Sequence, residues 1–278
     1  MSFHRVQQFF KFYAAAQTKY QIHSPFVFEL VSEVLEDDRY FYAFEDVERV
    51  REEMLHNNSP IEITDFGAGT GGSNEVPDGL PTTRVAPLHR IAARAGSPLG
   101  QAWRLFRLAH FLRPATMLEL GTSVGISAMY LASAARDAAF FTLEGCPNCA
   151  EIARINLDIL KLKQAQVVTG PFENTLLPTL YKLQSLDFAF FDGNHRHEPT
   201  LRYFEAALPF AHEKTVFVFD DIYWSAGMTE AWREIQQHPR VTLTVDFFDL
   251  SLAFFNPDFR EKQHLRVVPA AWKPWKVF

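Results

Sequence analysis

A doubly wound α/β sheet is the fold that this sequence predicts, on three observations. From Thr116 onward short apolar runs alternate with helix-like stretches. One of these runs breaks into the small-residue turn Gly121-Thr122-Ser123-Val124-Gly125, and the next ends in an acid, Glu144. Such alternation builds right-handed βαβ units and a parallel sheet covered on both faces.

Taken in order, residues 3–56 place aromatics at helical spacing, with Val6, Phe9, Phe10 and Tyr13 on one face and Phe28, Val31 and Leu35 on another, so amphipathic helices are expected. Residues 57–87 gather Gly67, Gly69, Gly71, Gly72 and Gly79 with several prolines and are read as loop. A helix around 102–112 leads to Pro114. Strands are expected at 117–120, 139–144, 165–169, 187–192 and 214–219, with helices at 124–136, 148–161, 173–183 and 196–209 between and after them. A last helix at 226–237 precedes two β-rich runs, 241–248 and 251–255, close enough to pair as an antiparallel edge hairpin. Residues 1–105 thus form a helical extension with a Gly/Pro-rich lid or linker, and 106–278 the sheet domain.

With 278 residues, 47% hydrophobic and 22% charged, the chain can bury a full core without a staple. No apolar run approaches the roughly 20 residues of a membrane span. Gln7, Gln8 and Lys11 interrupt the opening aromatics, unlike a signal peptide, so cytoplasm is the expected compartment and no membrane partner is expected. A formal net charge of −6 gives no broad electrostatic reason for nucleic-acid binding. A small-molecule substrate is expected, and a homodimer is compatible with the sequence.

The strand Met117-Leu118-Glu119-Leu120 bends at Gly121 and re-enters a helix at Ile126. Glycines suit such a turn because the backbone must bend sharply and let a ligand approach its amides. An acid ending the neighbouring strand, Glu144, is placed to accept both hydroxyls of a ribose.

Together, Glu119-Leu120-Gly121, Gly125, Ser127 and Glu144 resemble the cofactor signature of class I methyltransferases of the catechol O-methyltransferase type, in their bacterial O-methyltransferase subgroup. The strand-helix series from 106 is similar to their seven-stranded Rossmann-like sheet. The resemblance implies S-adenosylmethionine, with Glu119, Gly121, Thr122, Ser123, Gly125, Ser127, Glu144, Gly170, Phe172 and Asp192 around it and Phe172 against the adenine. A dinucleotide fingerprint would carry its third glycine near Ser127 and Ala128, where none stands. His23-Ser24-Pro25-Phe26-Val27-Phe28 is similar to the same bacterial subgroup and ties the extension to the enzyme.

Two further strands end in Asp192-Gly193-Asn194-His195 and in Asp220-Asp221. The doubly wound topology brings all three aspartates to the carboxyl edge beside the Gly121 turn. Oxygen-only ligands suit Mg²⁺ or Ca²⁺; alternatively, the aspartates cap loops or pair with Arg196 or Arg202. The resemblance implies Mg²⁺ held by Asp192, Asp220 and the residue at 221, where the family has asparagine and this chain aspartate. It also implies a base three residues after Asp192. That position is His195, whose unperturbed pKa of ~6.5 suits proton abstraction, with His197 as the alternative. Asp192 and His195 are the expected catalytic pair. Tyr223, Trp224 and Met228 are expected to wall the substrate.

Other signals are set lower. Asp65-Phe66-Gly67-Ala68-Gly69-Thr70 lacks a following helix and reads as a lid loop. Cys146-Pro147-Asn148-Cys149 has redox spacing but sits where a helix must begin, and reads as structural. Asn256-Pro257-Asp258-Phe259 resembles an amino-gripping tetrapeptide of base-modifying methyltransferases, misplaced after the wrong strand. The expected activity is methyl transfer to an oxygen of a small hydroxylated molecule. The rivals are a non-catalytic S-adenosylmethionine-binding protein and an NAD-dependent oxidoreductase.

Overall fold

A computed structural model describes residues 3–66, 81–95 and 99–276. Helices α1 (Phe3–Ala15), α2 (Pro25–Leu30, continued by a π-helical turn at Val31–Leu35) and α3 (Tyr42–Leu55) precede an antiparallel pair, β1 (Pro60–Asp65) and β2 (Thr82–Pro87). This pair corrects the loop reading of 57–87. Ile61 and Ile63 turn inward while Glu62 turns out, a period-two pattern that the nearby glycines and prolines obscured. Helices α4 (Leu88–Ala95) and α5 (Leu99–Leu112) follow, and α5 runs unbroken through residues 105 and 106.

The sheet domain alternates as expected: β3 (Thr116–Leu120), α6 (Ile126–Ala134), β4 (Ala139–Glu144), α7 (Pro147–Ile159), β5 (Ala165–Thr169), α8 (Phe172–Leu183), β6 (Leu186–Phe191), α9 (His197–Ala207), β7 (Ala211–Asp220) and α10 (Ala226–Gln237). Then come β8 (Leu243–Asp246), β9 (Leu250–Phe254) and β10 (Gln263–Arg266). The order across the sheet is β10-β8-β9-β7-β6-β3-β4-β5, with β3 to β7 parallel and β9 antiparallel to both its neighbours.

Eight strands stand where seven were expected, because β10 adds in parallel to β8 outside the hairpin. Its sequence, Gln-His-Leu-Arg, is mostly exposed and carries no alternating apolar signal. Gln17 braces its far side: the Gln17 amide donates to the Arg266 carbonyl at 2.8 Å, and Val268 returns a bond to Gln17 at 3.0 Å.

Both sheet faces are buried. Met117, Phe188, Phe190, Val216 and Val218 pack with Val27, Phe44, Leu105 and Met129 on one side. Leu118, Phe191, Phe217 and Phe219 pack with Leu180, Phe204, Trp232 and Phe12 on the other. Each such side chain contributes about 1.5 to 3 kcal/mol by leaving water. Helix α1 reaches this second core through Phe12, with Phe9 and Phe12 against Phe248. Phe10 and Val6, grouped by spacing with Phe9 and Tyr13 on one face, are exposed, and Phe12 is the residue of α1 that is buried.

Candidate active site

The Gly121 turn is built by backbone geometry that side chains do not tolerate. Gly121 has φ of 101° and Gly125 has φ of 87°; a Cβ at Gly121 would collide with the Asp192 carbonyl oxygen, and one at Gly125 would lie 3.1 Å from Ala153. The amides of Gly121 and Thr122 both donate to the Leu143 carbonyl, at 3.0 and 3.2 Å, which locks the turn to β4. Buried Asn156 of α7 donates to the Val124 carbonyl at 2.8 Å. Asn156→Ala strands that carbonyl in the core and is expected to lower stability by about 1 to 3 kcal/mol, read from the urea midpoint.

Glu144 lies at the edge of this turn, its carboxylate held at both ends. Oε2 accepts from the Ser123 amide at 2.6 Å and Oε1 from the Cys146 amide at 2.8 Å. Burial pushes its pKa up to about 7, against the pull of those two amides. Glu119 lies deeper and is fully buried; the Thr142 hydroxyl donates to it at 2.5 Å, Thr142 is linked to Thr122, and burial raises its pKa to about 7. Glu119 and Thr122 therefore act from beneath the turn. Ser123 and Ser127 are partly exposed. The Gly170 amide donates to the Glu144 carbonyl at 2.9 Å, and the Phe172 ring rests on Gly193 with Tyr203 edge-on to it.

Across the crevice, the Asp192 and Asp220 carboxyls are hydrogen-bonded to each other, and burial with like charge raises the pKa of both. Gln101 of α5 donates to Asp220 at 2.6 Å and to the Asp249 carbonyl at 3.1 Å. No sequence signal pointed to Gln101, since a lone glutamine on a helix is uninformative until the helix is docked. Asp221, at φ of 50°, turns to Arg5 of α1 and forms an ion pair at 3.0 Å. Among the described residues no group of three or more His, Cys, Asp or Glu is arranged to hold a metal ion. Of the expected Mg²⁺ set, Asp192 and Asp220 stand together, while Asp221 is engaged by a basic residue from the extension.

The His195 Nε2 lies 3.5 Å from the Asp192 carboxylate, and burial lowers its pKa, so the ring is neutral near pH 7. His197 opens α9 and pairs with Glu234 at 2.6 Å instead. Two of the expected substrate walls are committed elsewhere. The Tyr223 hydroxyl donates to buried Asp246 at 2.5 Å while its ring stacks on Phe248, and Met228 is buried beneath Thr200. Trp224 remains exposed. The other motifs have structural settings: Cys146 caps α7 with Cys149 buried beside it, and Phe259 packs against Phe26. Of the glycine-rich Asp65 to Thr70 segment, residues 67–70 lie outside the described residues.

Several solved structures share this fold. The O-methyltransferase from Bacillus cereus in complex with SAH matches at 21% identity with a TM-score of 0.51, covering 81% of this chain and 96% of that one. The SAH-bound Podospora anserina methyltransferase PaMTH1 matches at 16% identity with a TM-score of 0.55, covering 84% and 97%. The SAM-bound O-methyltransferase TomG from Streptomyces achromogenes matches at 20% identity and 0.52, covering 78% and 91%. No curated protein matches the chain. Residues 118–222, which contain the glycine turn, Glu144, Asp192 and Asp220, match the family model described as a methyltransferase domain. Over these residues the chain is thus similar to a methyltransferase domain, and its sheet has the Rossmann-like fold of these structures.

Proposed function

We propose that the protein transfers a methyl group from S-adenosylmethionine to an oxygen of a small hydroxylated molecule. The observation that carries this reading is the Glu144 carboxylate, fixed by the Ser123 and Cys146 amides at the rim of a turn that only glycine permits. A fixed acceptor of that kind suits the paired hydroxyls of a ribose, and the crevice at the carboxyl ends of β3 and β4 suits a nucleoside. When bound, S-adenosylmethionine supplies an electrophilic methyl on a sulfonium.

The chain's own task is to align acceptor and methyl and to hold the acceptor's proton. Neutral His195, beside Asp192, is the group that takes this proton. Trp224 and the loop after β7 border the acceptor. Adding Mg²⁺ is one arm of the assay. Cytoplasmic location and a homodimer belong to the same reading.

The test is formation of S-adenosylhomocysteine with hydroxylated acceptors. Binding without turnover across such acceptors, with and without Mg²⁺, would favour a non-catalytic binding protein, and tight NADH binding with indifference to S-adenosylhomocysteine would favour an oxidoreductase. For His195→Ala we expect kcat to fall about 100-fold or more with S-adenosylhomocysteine affinity unchanged, the range of a lost general base. Because burial lowers the His195 pKa, the wild-type kcat at saturating S-adenosylmethionine should hold as pH falls to about 6.5 and drop only below it. An unaltered rate in the variant removes His195 from the mechanism.

A further inference from the structure

The ring of Phe66, at the end of β1, lies directly on the Cα of Gly145, the residue after Glu144. A Cβ placed on Gly145 would fall 2.6 Å from Phe66 Cδ2 and 3.0 Å from Cε2, so the ring fills the space that any side chain at 145 would take. Phe66 is nevertheless no core residue, since 36% of it stays exposed.

Its position is anchored. The Thr64 amide donates to the Cys146 sulfur at 3.4 Å, and the Asn148 side chain donates to the Glu62 carbonyl at 2.8 Å, clamping β1 along the start of α7. Next to Phe66, Asp65 is near enough to His195 for its charge to favour the imidazolium. The end of β1 therefore reaches from the Glu144 side of the crevice towards the loop after β6.

The geometry points to Phe66 as an aromatic wall of the adenine subsite, contributed by the N-terminal hairpin and seated on Gly145. This assignment rests on the reading of Glu144 as the ribose acceptor. A ribose held through its two hydroxyls by Glu144 carries its base on the neighbouring ring carbon, and the Phe66 ring covers Gly145, the residue next to Glu144. A purine offers a flat π-face that a phenyl ring can stack against or meet edge-on, and only a residue without a side chain at 145 leaves room for that ring. The specificity implied is for a nucleoside with an intact purine, whatever is attached to its 5′ carbon.

Calorimetric titration of the full-length protein with S-adenosylhomocysteine, and separately with adenosine, tests this. Phe66→Ala is expected to weaken both ligands about tenfold or more, by the same factor, because the lost contact is to the shared nucleoside. Phe66→Leu keeps apolar bulk for the hairpin but lacks the aromatic face, and should also weaken binding. Phe66→Tyr should restore it, and unliganded melting curves of the leucine and tyrosine variants should overlay the wild type. Wild-type affinity in Phe66→Leu, or a loss confined to S-adenosylhomocysteine, overturns the role of Phe66 while leaving the methyltransferase reading intact. A wild-type protein that binds neither ligand overturns that reading, and this one with it.

Discussion

Gly121→Ala should abolish binding of S-adenosylmethionine and destabilise the protein by about 2 to 5 kcal/mol, the largest effect expected of any single methyl addition at the site. Two costs combine. An L-residue at φ of 101° is strained by itself, and the new methyl meets the Asp192 carbonyl oxygen, which belongs to backbone and cannot swing aside. Asp192 would have to move, carrying its carboxyl away from His195 and Asp220. Gly100→Ala is the matched control. Gly100 lies in α5, and the only atom near its added Cβ is the flexible end of Arg104 at 3.6 Å. That variant should be neutral or slightly stabilising, because alanine is the better helix former. Denaturant midpoints and ligand titrations of the two variants provide the comparison. Full binding by Gly121→Ala would refute the turn as the cofactor cradle.

Cofactor affinity should rise steeply between pH 6 and 8, and Glu144→Gln should flatten that rise. Burial lifts the Glu144 pKa to about 7, so at pH 6 most molecules carry a proton on the group meant to accept from ribose. Only the ionised carboxylate offers all its lone pairs to the two amides and two hydroxyls together. Affinity is therefore lost as pH falls through 7, approaching tenfold per pH unit below it. Folding responds in the opposite sense. The unfolded chain gives up this proton near 4.5 and the folded one near 7, so Glu144 alone makes the protein less stable as pH climbs through that interval. Glu144→Ala should weaken S-adenosylhomocysteine binding by about 1 to 3 kcal/mol, or roughly 5- to 150-fold. A pH-independent affinity in the wild type would argue against Glu144 as the ribose ligand.

Much of this architecture is legible in the sequence because its signals are local. The runs that become β3, β4, β6 and the second half of β7 are largely apolar, as strands buried on both faces must be, and their glycine and acidic ends mark the carboxyl edge. The signals fail where partners come from distant segments. β1 and β2 hide beside a glycine-rich stretch, and β10 is an exposed edge strand that exists through β8 and Gln17. At the site, Glu144 and the Gly121 turn can be foreseen because neighbouring strands hold them together. The fate of Asp221 depends on Arg5, more than 200 residues earlier in the chain, and Tyr223 looked like a pocket wall only until Asp246 took its hydroxyl. Gln101 meets Asp220, and Phe66 meets Gly145, from segments before the sheet, and no spacing rule within the sheet domain announces them.

The brace between Gln17 and the strand at 263–266 has a practical corollary for anyone trimming this polypeptide. Cutting away the first hundred residues to isolate the eight-stranded sheet would strip the outermost strand of its cover, leaving unpaired amides and carbonyls open to a second molecule. A shortened version should be prone to self-association, so the leading segment serves as a clasp for the tail.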